Sequence, residues 1–191
     1  FNVGQGDSIF ISSRDGTQIL VDGGPDSKVL SMLKDHMPYY DRSIDVIIAT
    51  HADQDHVGGL PDVIDKYKIG LFLEPGVPGD SSSYVELKGK VEGLKIKRLE
   101  ARRGMVVDLG DGAILQILFP VLVFDGMETN MASIVARLVY RENKFLFTGD
   151  SPTAIENYLI SLGGLESDVL KVGHHGSKTS TSMGFVSTVS P

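Results

Sequence analysis

The stretch that decides the fold is THADQDHVGG, residues 50–59, which directly follows an apolar run at 44–49. The run is led by β-branched residues and is typical of a strand that is buried on both faces. Two imidazoles and two carboxylates then fall within six residues, at His51, Asp53, Asp55 and His56. In a loop this spacing lets the four side chains converge on one or two cations, and imidazole and carboxylate suit zinc, manganese or iron. The alternative is a solvated acidic loop whose aspartates cap the next helix.

A second polar cluster lies near the end of the chain. The strand candidate 168–172 leads into the sequence GHHGSK, which contains His174, His175, Ser177 and Lys178. Four of the chain's five histidines therefore lie in two clusters that each follow a strand candidate, and only His36 lies elsewhere. Functional groups at the carboxyl ends of strands in an α/β layer converge on one edge. Taken alone, a histidine pair is equally consistent with a polar surface turn; beside the first cluster it indicates a metal site.

Two further carboxylates follow apolar strand candidates. Asp150 ends the sequence FLFTGD, and Asp22 ends ILVD before two glycines. Each is explained on its own by a turn or a helix cap. In the context of the two histidine clusters, Asp150 is a candidate to bridge two metal ions. Asp22 is a candidate to orient a ligand histidine from behind.

Composition limits the classes of function. The chain has 191 residues, no cysteine and a net charge of −7, with a sequence pI of about 5.1. Disulfides and cysteine-ligated zinc are therefore excluded, and any metal must use histidine, carboxylate or backbone ligands. The acidic balance disfavours a broad electrostatic grip on nucleic acid, although bound divalent cations would offset part of it. No apolar run approaches the roughly 20 residues needed to cross a bilayer.

The pattern of apolar residues predicts one layered α/β domain over residues 1–191. Because the sequence opens at Phe1 without a methionine, we expect this domain to be excised from or trimmed relative to a longer chain. Strands are predicted at 8–12, 18–21, 44–49, 69–73, 94–99, 113–119, 133–140, 144–148 and 168–172. Helices are predicted at 27–37, 61–67 and 152–162. The region 76–83, rich in glycine, proline and serine, is predicted to be a mobile surface loop. The segment 119–129 has no clear assignment.

The order of these motifs resembles the metallo-β-lactamase superfamily, whose pattern is an early Asp, a His-x-His/Asp-x-Asp-His loop, a later His, a Gly-Asp and a final His. Within it, the sequence VGQGDS at 3–8, Asp53 in a position that is usually His, Asn130 followed by Ser133, and KVGHHGSK at 171–178 are similar to the carboxyl-terminal domain of ComEC-type DNA-uptake competence proteins. The resemblance runs from Phe1 to about Ser182. That branch also includes free-standing hydrolases of unknown substrate.

The resemblance implies a four-layer αββα sandwich with two divalent metal ions at the sheet edge. His51 and Asp53 would face one ion, Asp55 and His56 the other, and Asp150 would bridge them. His174 is the preferred ligand of the histidine pair, with His175 as the second choice and otherwise a catalytic group. The later histidine of the superfamily is absent, and Asn130 occupies roughly that stretch. The first metal position is therefore rich in oxygen, which favours manganese over zinc, although zinc remains possible.

The function implied is a metal-dependent phosphodiesterase or nuclease that acts on DNA during uptake. Asp53 or Asp55 would accept the proton from the attacking water, while Lys178 and Ser177 are candidates to hold the phosphate. A basic stretch is a candidate guide for the nucleic-acid backbone or a solvated face; it comprises Lys95, Lys97, Arg98, Arg102 and Arg103. The alternatives are a free-standing hydrolase of small phosphodiesters, phosphocholine groups or lactones, and a metal-binding but inactive module. As part of a bacterial competence protein the domain would be membrane-associated; otherwise it would be soluble.

Overall fold

The computed structural model describes residues 1–124 and 126–191 and contains two five-stranded sheets. The first sheet has its strands in sequence order, with β1 antiparallel to β2 and the other neighbours parallel. Its strands are β1 (Ile9–Ser12), β2 (Gln18–Val21), β3 (Ser43–Ile48), β4 (Lys68–Glu74) and β5 (Lys97–Glu100). Parallel strands require crossover connections, and helices supply those between β2 and β5.

The second sheet is a meander closed by one parallel strand. Its strands are β6 (Val106–Gly110), β7 (Ala113–Phe119), β8 (Val135–Tyr140), β9 (Asn143–Phe147) and β10 (Val169–Leu170). They lie in the order β10-β9-β8-β7-β6, and all pairs are antiparallel except β10 with β9. The crossover from β9 to β10 is made by a helix, so the segments after these two strands emerge at the same edge.

Among the residues that the structure describes, six α-helices flank the sheets. They are α1 (Lys28–His36), α2 (Gln54–Val57), α3 (Leu60–Lys66), α4 (Ser82–Gly93), α5 (Thr153–Leu162) and α6 (Met183–Val189). Two short 3₁₀ turns, Asn130–Ala132 and His174–Gly176, lie among the connections. In the described ranges, no helix is long and apolar enough to cross a membrane.

Three separate apolar cores define four layers. Leu33 of α1 and Leu60 of α3 pack with Leu20 of the first sheet. The neighbouring residues Ile19 and Val21 point to the other face of the same strand, where they meet residues of the second sheet that include Leu115 and Ile117. A third cluster joins the outer face of the second sheet to α5 and α6, with Leu146, Leu159 and Phe185 among its members. Both faces of each sheet are covered, so the predicted αββα sandwich is confirmed.

Four elements were not predicted, the first of them α2, a four-residue helix within the stretch 50–59 that was expected to be a loop. α4 begins at Ser82 in the region expected to be a mobile loop, because the Ser81 hydroxyl caps it by accepting from the Tyr84 N–H. Its buried residues Tyr84, Leu87 and Val91 are spaced as one helical face, but Gly89 and Gly93 conceal the pattern. β6 is a short strand with a register shift near Asp108, and α6 is a seven-residue helix rich in small residues.

The remaining differences lie at element ends. The strand expected at 94–99 occupies Lys97–Glu100, because α4 extends to Gly93. Between β7 and the 3₁₀ turn at Asn130, the described residues contain no helix or strand, as the unassigned segment 119–129 suggested; Asp125 within it lies outside the described residues. The polar loops follow the carboxyl ends of four strands, β2, β3, β9 and β10, and lie at one edge of the sandwich.

Candidate metal centre

Asp150 lies at the centre of a cluster of imidazoles. Its Oδ2 atom is 3.3 Å from Nε2 of His56, 3.5 Å from Nε2 of His175, 3.8 Å from Nε2 of His174 and 4.0 Å from Nε2 of His51. Asp150 as a whole is 3% exposed and follows β9 by three residues. The three sequence segments that carry histidine or aspartate after a strand, at 50–56, at 150 and at 174–175, therefore meet at one place, as their positions predicted.

Asp22 fixes the orientation of His56. Its Oδ2 lies 2.8 Å from Nδ1 of His56 and also accepts the hydroxyl of Thr50 at 2.7 Å, while its Oδ1 accepts the Thr50 N–H at 2.8 Å. Both His56 and Asp22 are buried. An imidazole that donates from Nδ1 presents the lone pair of Nε2 on its opposite side, and that side faces Asp150. Asp22 thus lies on the Nδ1 side of His56, opposite the side that faces Asp150.

His51 is oriented through Thr50. Its Nδ1 is 3.0 Å from the Thr50 hydroxyl, whose single proton is donated to Asp22. The hydroxyl therefore accepts from Nδ1 of His51, which leaves the Nε2 lone pair directed at Asp53, at 3.7 Å, and at Asp150. Asp53 is held in turn by the Thr129 hydroxyl, which donates to its Oδ1 at 2.7 Å. One buried carboxylate, Asp22, thereby sets both ring orientations.

The two histidines of the adjacent pair occupy different positions. His175 Nε2 lies 3.0 Å from Asp55 Oδ2 and 3.3 Å from His56 Nε2. His174 contacts the Thr179 hydroxyl through Nδ1 at 3.1 Å, and its side chain is 34% exposed. Both residues have positive φ angles, +47° and +51°, which is uncommon for residues with a side chain and turns the two rings apart. The geometry groups His175, rather than His174, with Asp55 and His56.

The other candidates lie at the rim or beyond it. The Oδ1 atom of Asn130 is buried, and Asn130 directly follows Thr129 in the 3₁₀ turn beside Asp53. The Ser177 hydroxyl interacts with that of Thr179 at 3.0 Å and so supports the loop. Lys178 is exposed. His36, outside the clusters, is an exposed residue of α1 whose ring lies against Phe1.

Sequence reasoning missed two residues of the site. Asp7 Oδ1 lies 3.6 Å from Nδ1 of His175, and the Asp7 carboxylate forms an ion pair with Lys171. The only sequence signals were the motifs VGQGDS and KVGHHGSK that contain them, which suggested the family but assigned these residues no role. Asp7, His56, Asp150 and His175 each place one ligand-type atom within 4.8 Å of the others.

The pKa values of the two buried histidines in the cluster are shifted in opposite directions. Burial, together with the neighbouring His56, lowers the pKa of His51 to about 4. Burial also lowers the pKa of His56, but the carboxylates of Asp22 and Asp150 outweigh it and raise that pKa to about 10. Burial raises the pKa of Asp150, yet the hydrogen bond and charge of His56 outweigh it and lower that pKa to about 2. In the metal-free protein one proton, on His56, therefore stabilises the buried aspartates.

The donor set fits divalent cations. Within the described ranges, several buried polar atoms at this edge find no hydrogen-bond partner, among them Nε2 of His51, Oδ1 of Asp150 and Oδ1 of Asn130. An unsatisfied buried polar atom costs roughly 1–3 kcal/mol, so three at one place call for a ligand that accepts their lone pairs. Imidazole nitrogen and carboxylate oxygen suit zinc and manganese. All three atoms belong to residues that the sequence had singled out.

Comparison with known proteins agrees with the geometry. The family description "Metallo-beta-lactamase superfamily" matches residues 1–183. ComE operon protein 3 of Bacillus subtilis is 29% identical over 210 residues, covering 100% of this chain and 26% of the relative. Recombination protein 2 of Haemophilus influenzae is 31% identical over 195 residues, covering 100% of this chain and 22% of the relative. The chain thus spans about a quarter of the length of the curated relatives it matches.

Solved structures show the same fold at low sequence identity. A metallo-β-lactamase from Cronobacter sakazakii superposes with a TM-score of 0.60 at 14% identity, over 96% of this chain and 85% of that one. Zn²⁺-bound PqqB from Methylobacterium extorquens superposes with a TM-score of 0.55 at 17% identity, over 86% of this chain and 58% of that one. These likenesses show the four-layer fold.

Proposed function

We propose, from the premise that this chain belongs to the metallo-β-lactamase superfamily, that it is a metal-dependent hydrolase which cleaves phosphodiester bonds in DNA. The observation that carries the proposal is the convergence of four imidazole Nε2 atoms within 4.0 Å of one oxygen of the buried Asp150. Unprotonated imidazole nitrogens and carboxylate oxygens repel one another at such distances unless protons or cations lie between them. A pair of divalent ions supplies such cations.

We assign the ligands to two positions. His51, Asp53 and Asp150 would hold the first ion, with the Asn130 amide oxygen as an additional donor. Asp55, His56 and Asp150 would hold the second, together with His175, whose Nε2 lies 3.0 Å from Asp55. His174 remains the alternative ligand, since its Nε2 is 3.8 Å from Asp150. In either arrangement Asp150 would contribute to both positions.

The bound ions would lower the pKa of a water molecule and neutralise charge on the phosphoryl oxygens. The chain itself supplies the proton acceptors, because Asp53 and Asp55 are the two exposed carboxylates of the cluster, with side chains 41% and 33% exposed. His174, held by Thr179 and half-exposed, can donate a hydrogen bond to a phosphoryl or leaving oxygen. Ser177 and Lys178 follow on the same loop and remain candidate phosphate contacts.

The words recombination and competence in the names of the relatives support DNA as the substrate. Competence protein ComA of Neisseria gonorrhoeae, at 29% identity over 78% of this chain and 19% of that protein, joins the two relatives described above. We infer from these names a role in DNA uptake, with this domain as one part of a larger membrane-associated protein. Degradation of one DNA strand during uptake is a reaction that a phosphodiesterase centre of this type can perform.

The basic stretch contributes little to DNA binding in this account. Arg98 is paired with Glu74 and Glu100, and Arg102 is paired with Glu100. Lys95, Lys97 and Arg103 are exposed on the surface. Since the whole chain carries a net charge of −7, we expect weak, salt-sensitive binding that depends mainly on the metal ions.

The acidic balance also favours a second function, hydrolysis of small phosphodiesters, phosphocholine groups or lactones. Such substrates need no extended basic surface, and Arg98 and Arg102 are already neutralised. A third function, metal binding without catalysis, is favoured by the first metal position, which lacks the nitrogen that a third histidine would supply. Two substrates separate these three functions.

The test uses 5′-labelled single-stranded DNA and bis-(p-nitrophenyl) phosphate, each with Mn²⁺ and with the Asp150→Asn variant as a control. Cleavage of both substrates by the unmodified protein, and of neither by the Asp150→Asn variant, supports the nuclease. Turnover of the small ester without cleavage of DNA supports the second function. Stoichiometric metal binding with no turnover of either substrate supports the inactive module.

A further inference from the structure

The N-terminal loop GQGD, residues 4–7, packs against the stretch at residues 50–59. We call that stretch the metal-binding loop because it carries four of the proposed ligands. The N–H of Asp7 donates to the carbonyl of Asp55 at 3.3 Å, and the Asp7 carbonyl accepts from Gly24 at 2.8 Å. Gly6 has φ +108°, and a Cβ added there would overlap the backbone carbonyl of Asp55. Only glycine permits both the backbone angle and the close approach. The loop is therefore built to place Asp7 at one defined point beside the cluster.

The two oxygens of Asp7 have different partners. Its Oδ2 forms the ion pair with Lys171, whose Nζ atom is buried, and its Oδ1 lies 3.6 Å from Nδ1 of His175. The Asp7 side chain is only 10% exposed, so solvent screens these charges weakly. Lys171 follows β10, three residues before His174, so it links the strand end to the loop that carries both histidines.

His56 and His175 are arranged alike. Their Nε2 atoms face each other at 3.3 Å, and each ring has a carboxylate on its Nδ1 side, Asp22 for His56 and Asp7 for His175. We propose that Asp7, held by Lys171, is a positioning residue that keeps the Nδ1–H tautomer of His175, so that both Nε2 lone pairs face one metal ion.

A direct bond from Asp7 to the same ion fits the contacts less well. Asp55 and Asp150 approach His175 at Nε2, whereas Asp7 approaches it at Nδ1, and one imidazole cannot present both nitrogens to a single ion. Asp7 also has its other oxygen neutralised by Lys171, which reduces its value as a ligand. An orienting carboxylate, by contrast, gains from a fixed position and needs only one oxygen.

The inference rests on the proposed metal centre, so the measurement is of Mn²⁺ binding to the metal-free protein by calorimetry, with no substrate present. We expect Asp7→Ala to weaken binding at the second site by about 10- to 100-fold, as loss of an orienting partner does. Asp7→Asn, which retains an acceptor oxygen for Nδ1–H, should recover most of that loss. Lys171→Met keeps Asp7 but frees it to rotate, and should give an intermediate loss. Asp35→Ala and Lys28→Met, both exposed on α1, are the matched controls.

A second readout reports the tautomer directly. Long-range ¹H–¹⁵N spectra of the zinc-loaded protein should show the proton of His175 on Nδ1, and Asp7→Ala should shift it or broaden its signal, while His56 keeps its own pattern. Circular dichroism establishes that each variant is folded. Wild-type affinity in Asp7→Ala would overturn the inference, and equal losses in Asp7→Asn and Asp7→Ala would make Asp7 a direct ligand instead. Absence of Mn²⁺ binding to the unmodified protein would overturn the proposed function itself.

Discussion

The Nε2 atoms of His56 and His175 lie 3.3 Å apart, although the two residues are separated by 119 positions in the chain. The Nδ1 atom of His56 is committed to Asp22, so its Nε2 must either carry an extra proton or share a cation with His175. In the metal-free protein the raised pKa of His56 indicates the proton. We therefore expect metal binding to displace that proton, because an imidazole must be neutral to ligate.

Asp150→Asn should abolish hydrolysis and lower the affinity for both ions, because one bridging carboxylate serves two cations. The substitution preserves the size of the buried side chain, so the fold should survive. Metal content after dialysis against Mn²⁺ measures the effect, with His36→Ala as the control histidine that should behave as the unmodified protein does. If Asp150→Asn retained its full metal content, the bridging assignment would be wrong.

Asp53→His should strengthen the first site and shift its preference from manganese toward zinc, because it restores an imidazole to a position that is rich in oxygen. The carboxylate is 41% exposed, so an imidazole there meets little steric opposition. Calorimetric titration of the metal-free protein should show sequential binding, with the second site filled first, and the variant should bring the two affinities closer. Two equally tight zinc sites in the unmodified protein, with full zinc-supported activity, would contradict this account of the missing histidine.

Gly6→Ala should destabilise the protein far more than Gly4→Ala. Both glycines have positive φ, +108° and +91°, so either substitution incurs roughly 1–2 kcal/mol of backbone strain. A Cβ at Gly4 meets nothing within 4 Å, whereas one at Gly6 overlaps the Asp55 carbonyl, which adds about 1–3 kcal/mol and displaces the metal-binding loop. Thermal unfolding and Mn²⁺ affinity should therefore both separate the two variants, and equal effects would show that the loop yields without disturbing Asp55.

The metal-free protein should be most stable near pH 6.5. His56, with its pKa raised to about 10, contributes stability that is complete below its ordinary value of 6.5 and is lost as the pH rises toward 10. His51, with its pKa lowered to about 4, costs stability as the pH falls from 6.5 toward 4, since the unfolded chain then binds the proton more readily. Asp150 adds stability above its ordinary value of 3.8 that is lost as the pH falls through about 2.

Chemical denaturation in the presence of a chelator, from pH 4 to pH 10, measures this profile. Asp22→Asn removes the carboxylate that does most to raise the pKa of His56, so the alkaline loss should become shallower in that variant. Stability that continued to rise from pH 7 to pH 10 in the unmodified protein would show that His56 is not the buried proton carrier.

The sequence indicated those parts of the site whose geometry is local. His51, Asp53, Asp55 and His56 share one loop, so their spacing alone implied convergence, and the β-branched run before them implied the buried strand. Asp7 and Lys171 could not be assigned, because they meet His175 only through the docking of the N-terminal loop on Asp55. The choice between His174 and His175 depends on positive φ angles that no spacing rule predicts. α4 was missed because glycines interrupt its apolar face.

The central claim is that the imidazoles around Asp150 form a two-metal centre, and anomalous diffraction from crystals soaked in Mn²⁺ tests it most directly. The account predicts two anomalous peaks that share Asp150, one between His51 and Asp53 and a stronger one among Asp55, His56 and His175. The Asp150→Asn crystal should lose both peaks. Saturating Mn²⁺ that gave no peak within bonding distance of Asp150 in the unmodified protein would contradict the claim.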